Sequence, residues 1–153
     1  MYRHVEFILG NKSEQMAAAH RNVPHIWPAI KENFETPSIY DEIIFYLNRH
    51  GYNIDESALE RDWTQPYKSN QSVREAWLKV YENTSAKNID YQLAEKLIQI
   101  DEAFSLYRWR HFVSVNKILG FKPGTGGSAG VGWLKHVTNH KFFPELWEIR
   151  NDF

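Results

Sequence analysis

One run of helical periodicity limits what this chain can fold into more than any other feature. Between Asp90 and Gly120, Leu93, Leu97, Ile100, Phe104, Tyr107, His111, Val115 and Ile118 recur every three or four residues. That spacing puts them on one side of an α-helix of about eight turns. Asp90 can cap its start, and Gly120 accepts the left-handed conformation that closes a helix. A stripe that long needs other elements to cover it. The remaining sequence supplies helices, because no stretch alternates with the period of two that marks a strand.

The shorter elements are bounded by turn and cap residues. Val5, Ile8 and Leu9 lie on one side of a short helix that Gly10 can end. Residues 22–28, with Pro24 and Pro28, read as a loop. Thr36-Pro37 reads as a hydroxyl cap followed by proline at the first helical position, opening a helix through Ile39, Ile43, Tyr46 and Leu47 to Gly51. One or two turns are expected around Glu56–Arg61, and a helix from about Asn70 through Val73, Trp77, Val80 and Tyr81. After a glycine-rich loop over 120–130, Gly132–Val137 makes a further turn or two. Phe143-Pro144-Glu145 starts a last short helix. The expected architecture is a single all-α domain over residues 1–153.

Charge and composition exclude several functions. With 18 basic and 19 acidic residues the net charge is −1, which provides no electrostatic footprint for nucleic acid or an anionic membrane. Cysteine is absent, so disulfides, thiol catalysis and cysteine-ligated metal centres are excluded; a reducing compartment fits this usage. No apolar run reaches membrane-spanning length and the first residues lack a signal-peptide layout, so a cytoplasmic protein is expected. Aromatic side chains make up 15% of the chain, enough to line a cavity for a planar ligand as well as a core.

Several residues could carry chemistry. His111 sits on the apolar stripe of the long helix, so its imidazole is either a core histidine bonded to a carbonyl or an axial ligand to haem iron. Gly124-Thr125-Gly126-Gly127-Ser128-Ala129-Gly130 loosely fits a dinucleotide-binding pattern, but no strand precedes it, and no Walker loop is present. It is either a plain connection or a loop whose backbone approaches a ligand, with Thr125 and Ser128 as hydroxyl donors. His136 and His140 have the spacing of a zinc pair on one helix face, without the glutamate of the metalloprotease motif. Arg3 could hold a ligand carboxylate in a bidentate fork. Asp41-Glu42 and Asp101-Glu102 read as solvated helix faces.

Taken together, these segments resemble the bacterial tryptophan 2,3-dioxygenases. Tyr2-Arg3-His4-Val5-Glu6-Phe7-Ile8-Leu9-Gly10-Asn11-Lys12 resembles the family segment that carries the substrate-carboxylate arginine. Trp109-Arg110-His111 through Lys122 is similar to the helix bearing the proximal haem histidine, and Gly124-Thr125-Gly126-Gly127-Ser128 to the signature loop. Trp63-Thr64-Gln65-Pro66-Tyr67, Val80-Tyr81-Glu82-Asn83 and Phe142-Phe143-Pro144-Glu145-Leu146 resemble further family segments in the same order.

The resemblance implies an all-α, tetrameric haem enzyme that inserts O2 across the indole C2–C3 bond of L-tryptophan to give N-formyl-L-kynurenine, in the kynurenine pathway. His111 is then the axial ligand to haem b iron, Arg3 holds the substrate carboxylate, and Thr125 contacts its ammonium and carboxylate side. Ala129 stands where the signature loop often has a second serine. The family's N-terminal region, with its distal histidine, has no counterpart in this sequence. The chain thus reads as a truncated form or the C-terminal part of a longer enzyme, with an open haem pocket and weak or no activity alone. It acts as a homo-tetramer or in assembly with the missing N-terminal part. The alternative is a non-catalytic helical fragment that joins a partner chain and binds no haem.

Overall fold

The computed structural model describes residues 2–85, 87–120 and 131–152. Their regular elements are all helical: α1 (Tyr2–Ile8), α2 (Glu14–Ala18), α3 (Trp27–Glu35), α4 (Ile39–Arg49), α5 (Glu56–Leu59), α6 (Gln71–Tyr81), α7 (Ile89–Leu119), α8 (Val131–Val137) and α9 (Pro144–Glu148), closed by a 3-10 turn at Ile149–Asp152. The expected all-α class is what these residues form.

Capping chemistry explains where the sequence reading and the structure differ. The helix expected to start at Thr36 is capped at Ser38, whose hydroxyl accepts from Asp41 N at 3.3 Å while Asp41 accepts from Ser38 N at 2.7 Å. This reciprocal box satisfies two N–H groups that a Thr36 cap would leave unpaired. Thr36 instead closes α3, its hydroxyl donating to the Glu32 carbonyl at 2.8 Å. The expected loop over 22–28 gives way to α3 at Trp27, because Pro28 falls in the first turn where a missing N–H is harmless. On α7 the cap is Asn88, not Asp90. Asp90 instead accepts from the hydroxyls of Tyr46 at 2.7 Å and Tyr52 at 3.0 Å, tying α7 to α4 and its exit loop.

The main core gathers Tyr40, Ile44 and Leu47 of α4, Val73, Trp77 and Val80 of α6, Ala94, Leu97 and Ile98 of α7, and Phe143, Leu146 and Ile149 near the C-terminus. A smaller cluster joins Phe7 of α1, Met16 and Ala17 of α2, and Ile30 and Phe34 of α3.

Two of the acidic residues expected on solvated faces are buried. Asp41 takes Arg61 in a bidentate pair, Nε to Oδ1 at 2.6 Å and Nη2 to Oδ2 at 2.8 Å. Asp101 accepts from Phe142 N at 3.1 Å, Phe143 N at 3.4 Å and Trp147 Nε1 at 2.9 Å, docking the C-terminal segment on α7. Their neighbours Glu42 and Glu102 are exposed as expected. Glu145 repeats the arrangement from α9. It is fully buried and accepts from Tyr40 OH at 2.7 Å, Tyr67 OH at 2.6 Å and Asn70 N at 2.7 Å. Three of the family-like sequence segments are thus packing joints: Tyr67 and Glu145 bond each other, and Tyr81 OH donates to Glu95 at 2.6 Å.

Removing the Glu145 carboxylate strands two tyrosine hydroxyls and one backbone N–H. Glu145→Ala is expected to cost on the order of 3–5 kcal/mol in urea unfolding, well beyond an exposed control such as Glu42→Ala.

His140 gives a pH prediction. Burial and the nearby Arg108 charge push its imidazole down to about 4, so the fold holds it neutral. The unfolded chain takes up that proton near pH 6.5 and the folded chain does not, so stability falls as pH drops from about 6.5 to about 4. Burial pushes Asp101 and Glu145 up, which works in the opposite sense. Comparison with His140→Gln isolates the histidine: the substitution should flatten the urea-midpoint profile over that window by up to roughly 3 kcal/mol.

Candidate functional site

The helix that carries Arg3 spans Tyr2–Ile8 among the described residues. Three local devices hold it. Gly10, at φ 106°, ends α1 in a Schellman turn, with Gly10 N donating to Phe7 O at 3.1 Å and Asn11 N to Glu6 O at 2.8 Å. Here glycine is required twice, because a Cβ would also stand 3.2 Å from Ser38 Oγ. Lys12 then turns inward and donates to the carbonyls of Asn33, Phe34 (3.2 Å) and Thr36 (2.9 Å), capping the end of α3. Burial lowers its ammonium to about 8.

The third device reaches the long helix. Glu6 is fully buried and Arg108 is 3% exposed. They form a two-point ion pair, Arg108 Nε to Oε1 at 3.0 Å and Nη2 to Oε2 at 2.6 Å. Asn11 Nδ2 donates to the same carboxylate at 2.8 Å. Arg108 Nη1 reaches the His140 carbonyl at 2.8 Å, and the guanidinium lies 4.4 Å from the centre of the Phe142 ring. One arginine therefore joins α1, α7 and the segment after α8.

His111 lies one turn beyond Arg108 on α7, and it is exposed. Little of the expected apolar stripe is core: Leu97 is buried, whereas Ile100 is 39%, Tyr107 47% and Ile118 80% exposed. The core-histidine reading is therefore corrected, since His111 faces solvent on a side of α7 that the other described elements leave open. Among the described residues neither ring nitrogen of His111 has a hydrogen bond, and its ring lies parallel to Tyr107 at 6.0 Å. Leu106 and Trp109, 49% and 53% exposed, carry apolar surface onto other sides of the same helix segment. A free imidazole on an open apolar face has the donor chemistry and the surroundings that an axial haem ligand needs.

Arg3 lies in α1, one turn before Glu6; its side chain is outside the described part of the structure. Thr125 and its loop also lie outside the described residues. His136 and His140 do not form a pair on one helix face, because α8 ends at Val137 and His140 turns inward against Phe142. Among the described residues no cluster of three histidine, aspartate or glutamate side chains could hold a metal ion, and the zinc reading has no support.

Sequence reasoning missed Glu6, Lys12 and Arg108. For two of them a local sign of burial was present, since Glu6 lies between Val5 and Phe7 and Arg108 between Tyr107 and Trp109, though nothing local shows that the two pair.

A family model described as tryptophan 2,3-dioxygenase matches residues 24–152. Tryptophan 2,3-dioxygenase 1 of Ralstonia nicotianae is 44% identical over 151 residues, covering 99% of this chain and 51% of the relative. The Shewanella woodyi tryptophan 2,3-dioxygenase is 47% identical over 149 residues, covering 97% of this chain and 52% of that protein. The Serratia proteamaculans protein is 45% identical over 151 residues, 99% of this chain and 54% of its own length. The chain spans about half the length of the curated relatives it matches. With a family model extending over most of its residues, the chain belongs to the tryptophan 2,3-dioxygenase family.

Proposed function

We propose that this chain carries the haem-ligating half of a tryptophan-oxidising dioxygenase site. His111 holds haem b, Arg3 binds the carboxylate of L-tryptophan, and Thr125 contacts its ammonium and carboxylate side. The observation that carries this reading is the exposed His111 imidazole, free of hydrogen-bond partners among the described residues and set on an open apolar face of a long helix. Family membership supports the substrate, and the relatives named above are tryptophan 2,3-dioxygenases.

Bound haem supplies the O2 chemistry, which inserts both oxygen atoms across the indole C2–C3 bond and yields N-formyl-L-kynurenine. The protein's part is positioning. The Arg3 guanidinium takes the carboxylate through two parallel hydrogen bonds, fixing the amino-acid end of the substrate. The Thr125 hydroxyl adds a contact on the same end. Holding that end would restrict the orientations open to the indole, which lowers the entropic part of the barrier. His111, on the longest helix of the described residues, fixes the cofactor against this frame.

The apolar side chains around His111, Tyr107 and Ile118 above all, call for cover. The proposed assembly, a homo-tetramer or association with the N-terminal part of the family's chain, supplies it. No helix among the described residues is long and apolar enough to cross a membrane, and with the absence of cysteine this supports a cytoplasmic location.

A haem titration followed by absorbance tests the reading. The chain should bind haem stoichiometrically and its spectrum should respond to L-tryptophan. His111→Ala should lose both while staying within about 0.5 kcal/mol of parental stability, as expected for an exposed position. Failure of the parent chain to bind haem would leave the non-catalytic fragment instead.

A further inference from the structure

The most completely buried ion pair described in the protein joins the helix of the proposed substrate arginine to the helix of the proposed haem histidine. Side-chain exposure is 3% for Arg108 and 0% for Glu6, against 12% and 1% for Arg61 and Asp41, and far more for the surface pairs. Residues three apart on a helix lie on neighbouring positions of one face, about 4.5 Å apart along the axis. Arg3 stands in that relation to Glu6 on α1, and His111 in that relation to Arg108 on α7. The two-point bond between Glu6 and Arg108 is therefore one helical turn from each proposed ligand-binding residue. The third donor of Arg108 grips the His140 carbonyl just past α8.

We propose that Glu6 and Arg108 are positioning residues of the site described under Proposed function: their ion pair sets where Arg3 stands relative to His111, so that its loss falls on recognition of the tryptophan carboxylate and not on haem ligation. The inference rests on that reading. Physically, a buried carboxylate–guanidinium fork fixes both distance and angle, whereas apolar contacts alone tolerate sliding. The ligand carboxylate is caught by a similar fork at Arg3, whose tolerance is equally narrow. His111 depends on α7 alone and keeps its place when α1 shifts.

The test compares L-tryptophan with tryptamine, which lacks the carboxylate, as ligands of the haem-loaded chain, read from the shift of the haem absorbance band. In the parent chain L-tryptophan should bind more tightly than tryptamine. Glu6→Gln, which keeps the shape but removes the charge, should shrink that preference by about tenfold or more. Tryptamine and haem affinity should stay within about threefold, because the shift acts on the carboxylate contact alone. The double variant Arg3→Ala, Glu6→Gln should be no worse than Arg3→Ala alone, since both act on one contact. A preference unchanged in Glu6→Gln, or an equal fall for both ligands and for haem, would overturn the proposal.

Should Glu6→Gln fail to fold, the paired change Glu6→Met, Arg108→Met removes the fork without stranding a charge, and the same loss of preference is expected. A parent chain that binds no haem overturns the functional reading and leaves the positioning claim open to a direct test. The sequence has no cysteine, so spin labels can be placed singly through Arg3→Cys and His111→Cys. Their separation should be one narrow distribution that broadens when Glu6→Gln is added. A distribution that Glu6→Gln leaves unchanged would refute it.

Discussion

Arg108 enters the protein interior with 3% of its surface exposed, and a guanidinium withdrawn from water to that degree requires an anion in hydrogen-bonding geometry. Glu6 is that anion, and it is carried by α1. Much of the N-terminal arrangement follows from this need. Phe7 is directed into the small cluster with Met16 and Phe34. Leu9 reaches the main core, and Asn11, turned back by Gly10, completes the carboxylate's hydrogen bonding. A buried ion pair rarely adds more stability than well-packed apolar residues of the same volume, whereas losing one partner is costly. Its structural consequence is a fixed relation between α1 and α7, which apolar packing alone defines less sharply.

Carboxylates perform the same service at the other end of the core. Asp101 and Glu145 each collect three donors from segments distant in sequence. Burial pushes both upward from the ordinary carboxylate range, and the donors pull them back. Through Asp101 the C-terminal segment is held against the middle of α7, and through Glu145 against α4 and the entry to α6. Arg108 grips that segment's His140 carbonyl from further along α7. The long helix is thus held by polar contacts at Asp90, Asp101 and Arg108, with apolar packing over its first half.

Most of the helices were legible, because their signals are local, but α2 and α3 were not read from the sequence. Gly10, Gly51 and Gly120 stop helices where expected, all with positive φ, and the periodicity of α6 and α7 is realised. Errors arose where two local signals competed. Thr36-Pro37 and Ser38-x-x-Asp41 are both credible starts, and the box that pairs two donors prevailed. Pro24 and Pro28 together looked like a loop, though Pro28 alone is compatible with a first turn. Burial of Asp41 and Asp101 was beyond local reading, since it depends on Arg61 twenty residues away and on Trp147 from the last helix. Of the candidate site, Arg3, His111 and Thr125 stood out by residue chemistry and position, while their definite roles came only through family resemblance. The joint at Glu6 and Arg108 spans 102 residues of sequence and no local pattern predicts it.

His111 shows why periodicity alone misjudges such a helix. The stripe from Leu93 to Ile118 is continuous in sequence, and a continuous stripe reads as a continuous core. The spacing of apolar residues says that a face avoids water without saying what covers it. Over Leu97 and Ile98 the cover is α4, α6 and the C-terminal segment. From Tyr107 onward the cover is partial: α8 packs on α7 and Phe112, Val113 and Val115 are half-buried, while Tyr107, Trp109 and Ile118 remain open. An imidazole placed at that transition is anchored by the packed half and accessible from the open half. Rigidity on one side and access on the other are what a side chain needs to hold a flat cofactor against a helix.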